Sequence, residues 1–220
     1  MDLIGMILCR ASVYALPSQV QPKVIFDVGA NIGVAAVYYS VVYPNATVYC
    51  FEPLPANIEL LCANTSRNSD RIKVIRRGLS DVAGSFEYHM SGNRRSCGGG
   101  TFCGNGSDPT RSVTLPVGTV RQAIEETGVD HVDVFKIDTE GSKWPILRGI
   151  PEPLRSGAQA YTGELHGIGD WEFCRMLAAS HALDIRKPYD RTCFPFLAIR
   201  KDLATPGRVS GPAPAHARAA

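Results

Sequence analysis

The sequence predicts an α/β domain built on a doubly wound, mostly parallel sheet, and three observations carry that expectation. Short, continuous, β-branched apolar runs such as "KVIFDV" (23–28) and "HVDVFKID" (131–138) suit strands buried on both faces. These runs alternate with segments of helical period, the pattern of parallel strands joined by right-handed crossovers. The chain has 220 residues, 45% of them hydrophobic and 20% charged, enough for one domain with a core of its own.

The elements follow in order. After the strand at 23–28, residues 33–43 read as a helix, "ATVYCFE" (46–52) as a second strand closed by Pro53, and 55–66 as a helix with Ile58, Leu61 and Cys62 at helical spacing. "IKVIRRG" (72–78) is a third strand. "LSDVAGSFEYHM" (79–90) reads as an excursion and hairpin turning near Ala83–Gly84. The Gly/Ser/Asn-rich loop 91–110 is long for a compact domain. A short strand at 111–117, a helix at 119–127 and the buried strand 131–138 come next. Residues 142–149 start a helix that tolerates Pro145 in its first turn. A strand at 158–166 and a helix at 169–181 precede a final antiparallel pair, "HALDIRK" and "FPFLAIRK". Residues 22–203 form the expected domain, 1–21 an N-terminal segment, and 204–220 an Ala/Pro/Gly-rich tail expected to be disordered.

Composition excludes several classes. A net charge of +2 supplies no field for nucleic acid. No run approaches the ~18 apolar residues of a membrane span, and the opening segment lacks the basic start of a signal peptide. A cytoplasmic compartment is expected. The seven cysteines form no even framework and no zinc spacing; Cys50 and Cys62 read as small core residues, and Cys97 and Cys103 flank a glycine run.

In such a sheet, ligands bind beyond the carboxyl ends of the strands, which places the turn Asp27–Gly33, "DVGANIG", at the site. The turn is wrong for a dinucleotide, because Asn31 stands where the middle glycine of G-x-G-x-x-G approaches a pyrophosphate, and Asp27 repels phosphate. No P-loop motif occurs. An acid there suits a cationic ligand, and S-adenosylmethionine carries a sulfonium and an ammonium but no phosphate. Glu52 ends the second strand 19 residues after Gly33, where an acid accepts ribose hydroxyls.

The order "DVGANIG" (27–33), "VYCFEPLPANIELL" (48–61), "GLSDVAGSFEY" (78–88), "VDVFKIDTEGSKWPILRGI" (132–150) and "GELHG" (163–167) resembles the FkbM family of S-adenosylmethionine-dependent methyltransferases over roughly residues 22–200. The resemblance implies a class I methyltransferase (Rossmann-like) fold, a seven-stranded sheet with an antiparallel last strand, and O-methylation of a small molecule or sugar. By position it places Asp27, Gly29, Asn31 and Gly33 at the methionine end and Glu52 on the ribose. Leu79, Ser80 and Asp81 fall near the adenine with Pro53 beside it, and Asp138 where sulfonium and acceptor meet. The family's motif continues with an acid where this chain has Lys143, a departure that either removes a surface pair or changes acceptor binding.

Transfer to a hydroxyl needs in-line alignment and benefits from a base. Asp138, Glu164 and His166 at strand ends are the candidates, and Lys136 lies two residues before Asp138 on the same strand face. Glu140 reads as a turn-orienting residue. Asp138, Glu140, Glu164 and His166 are ligand types that permit magnesium or manganese, yet their spacing gives no metal motif and none is assigned. Trp144 and Trp171 read as core or rim residues, with stacking on the acceptor as the alternative. Two other readings stay open: a non-catalytic S-adenosylmethionine-binding or scaffold protein of the same fold, and a nicotinamide-dependent oxidoreductase, against which Asn31 and Asp27 argue.

Overall fold

The computed structural model describes residues 14–89, 112–139, 141–166, 170–186 and 194–204. The glycine-rich loop 91–110, Cys97, Cys103, Glu140 and the tail from 205 lie outside them. The strands are β1 (Val24–Val28), β2 (Thr47–Phe51), β3 (Ile72–Ile75), β4 (Gly78–Ser80), β5 (Gly84–His89), β6 (Ser112–Thr119), β7 (Val134–Ile137), β8 (Ala160–Leu165), β9 (His181–Ile185) and β10 (Phe194–Arg200). The helices are α1 (Val34–Val42), α2 (Pro55–Thr65), α3 (Val120–Thr127), α4 (Lys143–Gly149), α5 (Glu152–Gly157) and α6 (Trp171–Leu177). Among the described residues no helix is long and apolar enough to cross a membrane.

Seven strands form one sheet in the order β3-β2-β1-β7-β8-β10-β9. The first five in that order run parallel; β10 is antiparallel to both its neighbours, β8 and β9. The expected doubly wound sheet with an antiparallel last strand is therefore present. Strand order reverses between β1 and β7, so the crevice beyond their carboxyl ends is the topological switch point.

Alternation along each strand sends successive side chains to opposite layers. Phe26, Phe135, Tyr161 and Phe196 join Val120, Ile146, Leu147, Phe173 and Leu177 of α3, α4 and α6. Ile25, Val134, Ala160 and Leu197 join Ala35, Ala36, Tyr39 and Leu61 of α1 and α2. Tyr14, Leu16 and Val20 also pack in this second layer, so the folded body begins inside the segment assigned to 1–21. Each fully buried aromatic or aliphatic side chain contributes about 1.5–3 kcal/mol.

Two elements differ from expectation. The hairpin over 79–90 does not form: β4 and β5 both pair with β6, which runs parallel to β4 and antiparallel to β5 and separates them. An intercalating strand leaves no mark in the local sequence, because its partner lies more than thirty residues away in the chain. The helix α5 was not expected; Pro153 sits in its first turn, where a missing N–H costs nothing.

Candidate active site

The turn after β1 is held from three sides. Gly29 and Ala30 both donate to Phe51 O, at 3.0 and 3.1 Å, which ties the turn to the end of β2. Gly29 has φ +78, and a Cβ there would lie 2.3 Å from Asp138 O, so the backbone of the turn and the end of β7 touch. Asn31 takes the left-handed φ of 51, which asparagine tolerates, and Asn64 Nδ2 donates to Ile32 O at 2.8 Å. Gly33 precedes α1 and is closed over by Leu61 and Thr65 of α2.

Glu52 is the third tie. Its Oε2 accepts from Asn31 N at 2.8 Å, and its Oε1 accepts from Leu54 N at 3.0 Å and Asn57 Nδ2 at 3.3 Å. The residue is 4% exposed. Burial pushes its carboxyl above the ordinary value, against the pull of Leu54, Asn31, Asn57 and Lys136. A raised value means that protonation favours the fold here: the group's contribution to stability is present at low pH and lost as pH rises through the folded value. A protonated Glu52 accepts fewer hydrogen bonds, so affinity for S-adenosylhomocysteine is expected to fall as pH is lowered from neutral toward the ordinary glutamate range of about 4.3. Calorimetric titration across that range checks this, with Glu52→Gln as the control that loses the dependence.

Asp27 is wholly buried, so it does not face the crevice. It is paired in register with Lys136 of β7, and Lys136 Nζ lies 2.9 Å from its Oδ1. The same ammonium donates to Gly29 O at 2.6 Å and lies 3.9 Å from Asp138 Oδ2 and 5.9 Å from the ring centre of Tyr14. Burial alone would push Lys136 down; the charges of Asp27 and Asp138 outweigh it and hold the ammonium well above the usual lysine range. Asp27 is thus linked to the turn through Lys136, which also donates to Gly29 O. Lys136 and Tyr14 stand beside the turn and Asp138, and the sequence assigned neither to the site. A lysine inside an apolar strand, two residues before a site acid, was the available signal for the first; Tyr14 had none.

Leu79 and Ser80 sit on β4. The Leu79 side chain is buried in the core with Val120 and Ile146, so only its backbone is available to a ligand. Ser80 Oγ donates to Asp81 Oδ1 at 3.0 Å, and Arg148 of α4 pairs with Asp81 and holds its carboxyl below the usual range. Pro53 is half-buried beside Glu52. Trp144 packs against the core, while Trp171 is 68% exposed.

The ends of β7 and β8 meet on one face of the sheet. A Cβ on Gly163 would lie 2.0 Å from Ile137 O, so this glycine lets the strand ends close up. Asp138, Glu164 and His166 then bring one ligand atom each within 4.8 Å of one another, a span that a divalent cation could bridge. Their chemistry fits such an ion in donor type. His166 Nε2 lies 3.9 Å from Glu164 Oε2, and His166 N donates to Asp170 Oδ2 at 2.6 Å. Lys143, expected on the surface or at an acceptor, is 1% exposed and packs behind His166. The three acid–base candidates are therefore together, with Asp138 the one against the turn at Gly29.

Comparison with known proteins bears on the family and the fold. The model described as the methyltransferase FkbM domain matches residues 27–184. The chain is 29% identical over 139 residues to the hexuronic acid methyltransferase AglP of Haloferax volcanii, covering 62% of this chain and 53% of that protein. It is 26% identical over 171 residues to the 31-O-demethyl-FK506 methyltransferase FkbM of Streptomyces tacrolimicus, covering 66% of each. The chain thus spans about half to two thirds of the length of these relatives. The precorrin-6y C5,15-methyltransferase of Geobacter metallireducens shares the fold with a TM-score of 0.54 at 10% identity, over 89% of this chain and 88% of that one. The family match runs from the donor turn through Glu52 and Asp138 to beyond His166, and the chain belongs to the FkbM family of S-adenosyl-L-methionine-dependent methyltransferases.

Proposed function

We propose that this chain transfers the methyl group of S-adenosylmethionine to an oxygen of a small molecule or glycan. The observation that carries the reading is the apposition of the turn at Gly29 to Asp138, which sets a donor cradle against the Asp138–Glu164–His166 cluster. The donor's methionine end lies along Gly29, Asn31 and Gly33. Its ribose meets Glu52, whose longest contact, from Asn57 at 3.3 Å, is the one a hydroxyl displaces. Pro53, Leu79 and Ser80 border the adenine.

When bound, the donor supplies an electrophilic methyl on a cationic sulfur. The protein's part is to align the acceptor oxygen behind that methyl, keep water out and hold the released proton. Asp138 ends β7 beside the donor turn, and Glu164, 6% exposed, stands behind it with His166. The relatives' names, a hexuronic acid methyltransferase and a 31-O-demethyl-FK506 methyltransferase, support oxygen as the acceptor atom. A net charge of +2 gives no support to a nucleic-acid acceptor. Free Cys50, Cys62 and Cys174 suit a reducing, cytoplasmic setting.

The test is formation of S-adenosylhomocysteine with sugars, hexuronic acids and hydroxylated natural products as acceptors. Glu164→Gln is expected to lower kcat by roughly 10²–10⁴-fold while leaving donor affinity within about twofold of wild type. Donor binding without transfer to any acceptor would instead support a non-catalytic protein of this fold.

A further inference from the structure

The amine behind His166 decides what that imidazole can do. Lys143 Nζ lies 2.6 Å from His166 Nδ1, donates to Thr139 O at 2.8 Å, and stands 3.8 Å from Asp170 Oδ2. A lysine ammonium has three hydrogens and no lone pair, so at this contact it is the donor and Nδ1 the acceptor. A hydrogen on Nδ1 would set two donors face to face. With Nδ1 bare, the neutral ring carries its hydrogen on Nε2, the nitrogen 3.9 Å from Glu164 Oε2.

We infer that Lys143 is a positioning residue that fixes His166 as the Nε2–H tautomer, making it a hydrogen-bond donor inside the cluster rather than a base or a metal ligand. This deepens the methyl-transfer reading and rests on it. A histidine that binds a metal through Nε2 gives its Nδ1–H to an acceptor behind it; here the group behind it is a donor. The Asp138–Glu164–His166 cluster, although spaced for a divalent cation, is therefore held by protein cations instead: Lys136 3.9 Å from Asp138, and Lys143 at the back of His166. In the transfer, the acceptor's O–H bond breaks and its proton passes to a carboxylate oxygen of Glu164 or Asp138. The O–CH₃ bond forms as the C–S bond breaks, and that bond's electron pair neutralises the sulfonium. The His166 Nε2–H steadies the acceptor oxygen or the carboxylate that takes the proton.

The experiment is long-range ¹H–¹⁵N correlation spectroscopy of the full chain labelled at histidine, with His166 assigned through His166→Gln. Wild type is expected to show His166 with Nδ1 unprotonated and Nε2 protonated, and with no selective broadening by manganese(II). Lys143→Met is expected to release the tautomer and admit manganese broadening of the His166 signals. Lys143→Arg, which keeps a donor, is expected to retain the wild-type pattern, and serves alone if the methionine variant does not fold. An Nδ1–H tautomer in wild type, an unchanged spectrum in Lys143→Met, or stoichiometric manganese at His166 in wild type would overturn the inference. The readout needs no turnover, so a chain that methylates nothing but shows the Nε2–H tautomer would strike the proposed activity and leave this assignment standing.

Discussion

Glu52→Ala is expected to weaken binding of S-adenosylhomocysteine by roughly 10²–10³-fold in calorimetric titration, the largest effect of any single change on the donor side. Two losses combine. Hydrogen bonds from ribose hydroxyls to a carboxylate are each worth about 1.5–3 kcal/mol. The same truncation also strands Asn31 N and Leu54 N, so the turn that receives the methionine end loses its tie to β2. Glu52→Gln is the milder change, because its one amide oxygen still accepts from one of the two backbone N–H groups while the charge and the second acceptor are gone. An affinity unchanged in Glu52→Ala would show that this carboxylate neither meets the ribose nor is needed to hold the turn for the donor.

Lys136→Met is expected to produce the largest loss of stability. It removes the only described cation within ion-pair distance of Asp27, which has no solvent to turn to. Breaking a buried pair by deleting one partner costs about 3–5 kcal/mol, or roughly 10 °C in Tm for a domain of this size. Burial pushes the Asp27 carboxyl up even with Lys136 present, so without it the group is more stable protonated. A raised acid contributes its stability below the unfolded value and loses it as pH rises, so the deficit grows with pH. Thermal unfolding followed by circular dichroism at two pH values reads both effects. The double variant Asp27→Leu/Lys136→Met, which leaves no orphaned charge, is expected to recover much of the loss. A Tm within about 1 °C of wild type for Lys136→Met alone would mean that the pair carries no weight in the fold.

What could be read from the chain was whatever is local. The buried strands announced themselves through unbroken apolar runs, and the turn at Asp27–Gly33 through its glycines. The face shared by Lys136 and Asp138 followed from period-two alternation. What could not be read was partnership across distance. Asp27 looked like a ligand group because nothing near it in sequence neutralises it; its partner is the in-register residue of a strand more than a hundred positions later. Lys143 read as either a lost surface pair or a change at the acceptor, because a lysine's buried role shows only once His166 and Thr139 O are placed around it. The hairpin at 79–90 failed for the same reason, since β6 supplies to both β4 and β5 the hydrogen bonds that they would otherwise give each other.

The position of β10 sets the order in which a growing chain gains its chemistry. Glu164 lies on β8 opposite Pro195, and until the segment Phe194–Arg200 emerges from the ribosome β8 is the open rim of a half-built sheet. The donor turn, complete by Phe51 and Lys136, precedes it by more than fifty residues of synthesis. A nascent chain of this design has its Asp27–Gly33 turn braced long before the β8 edge is sealed, and the interval leaves an apolar strand rim that chaperones can grasp and neighbouring chains can stick to.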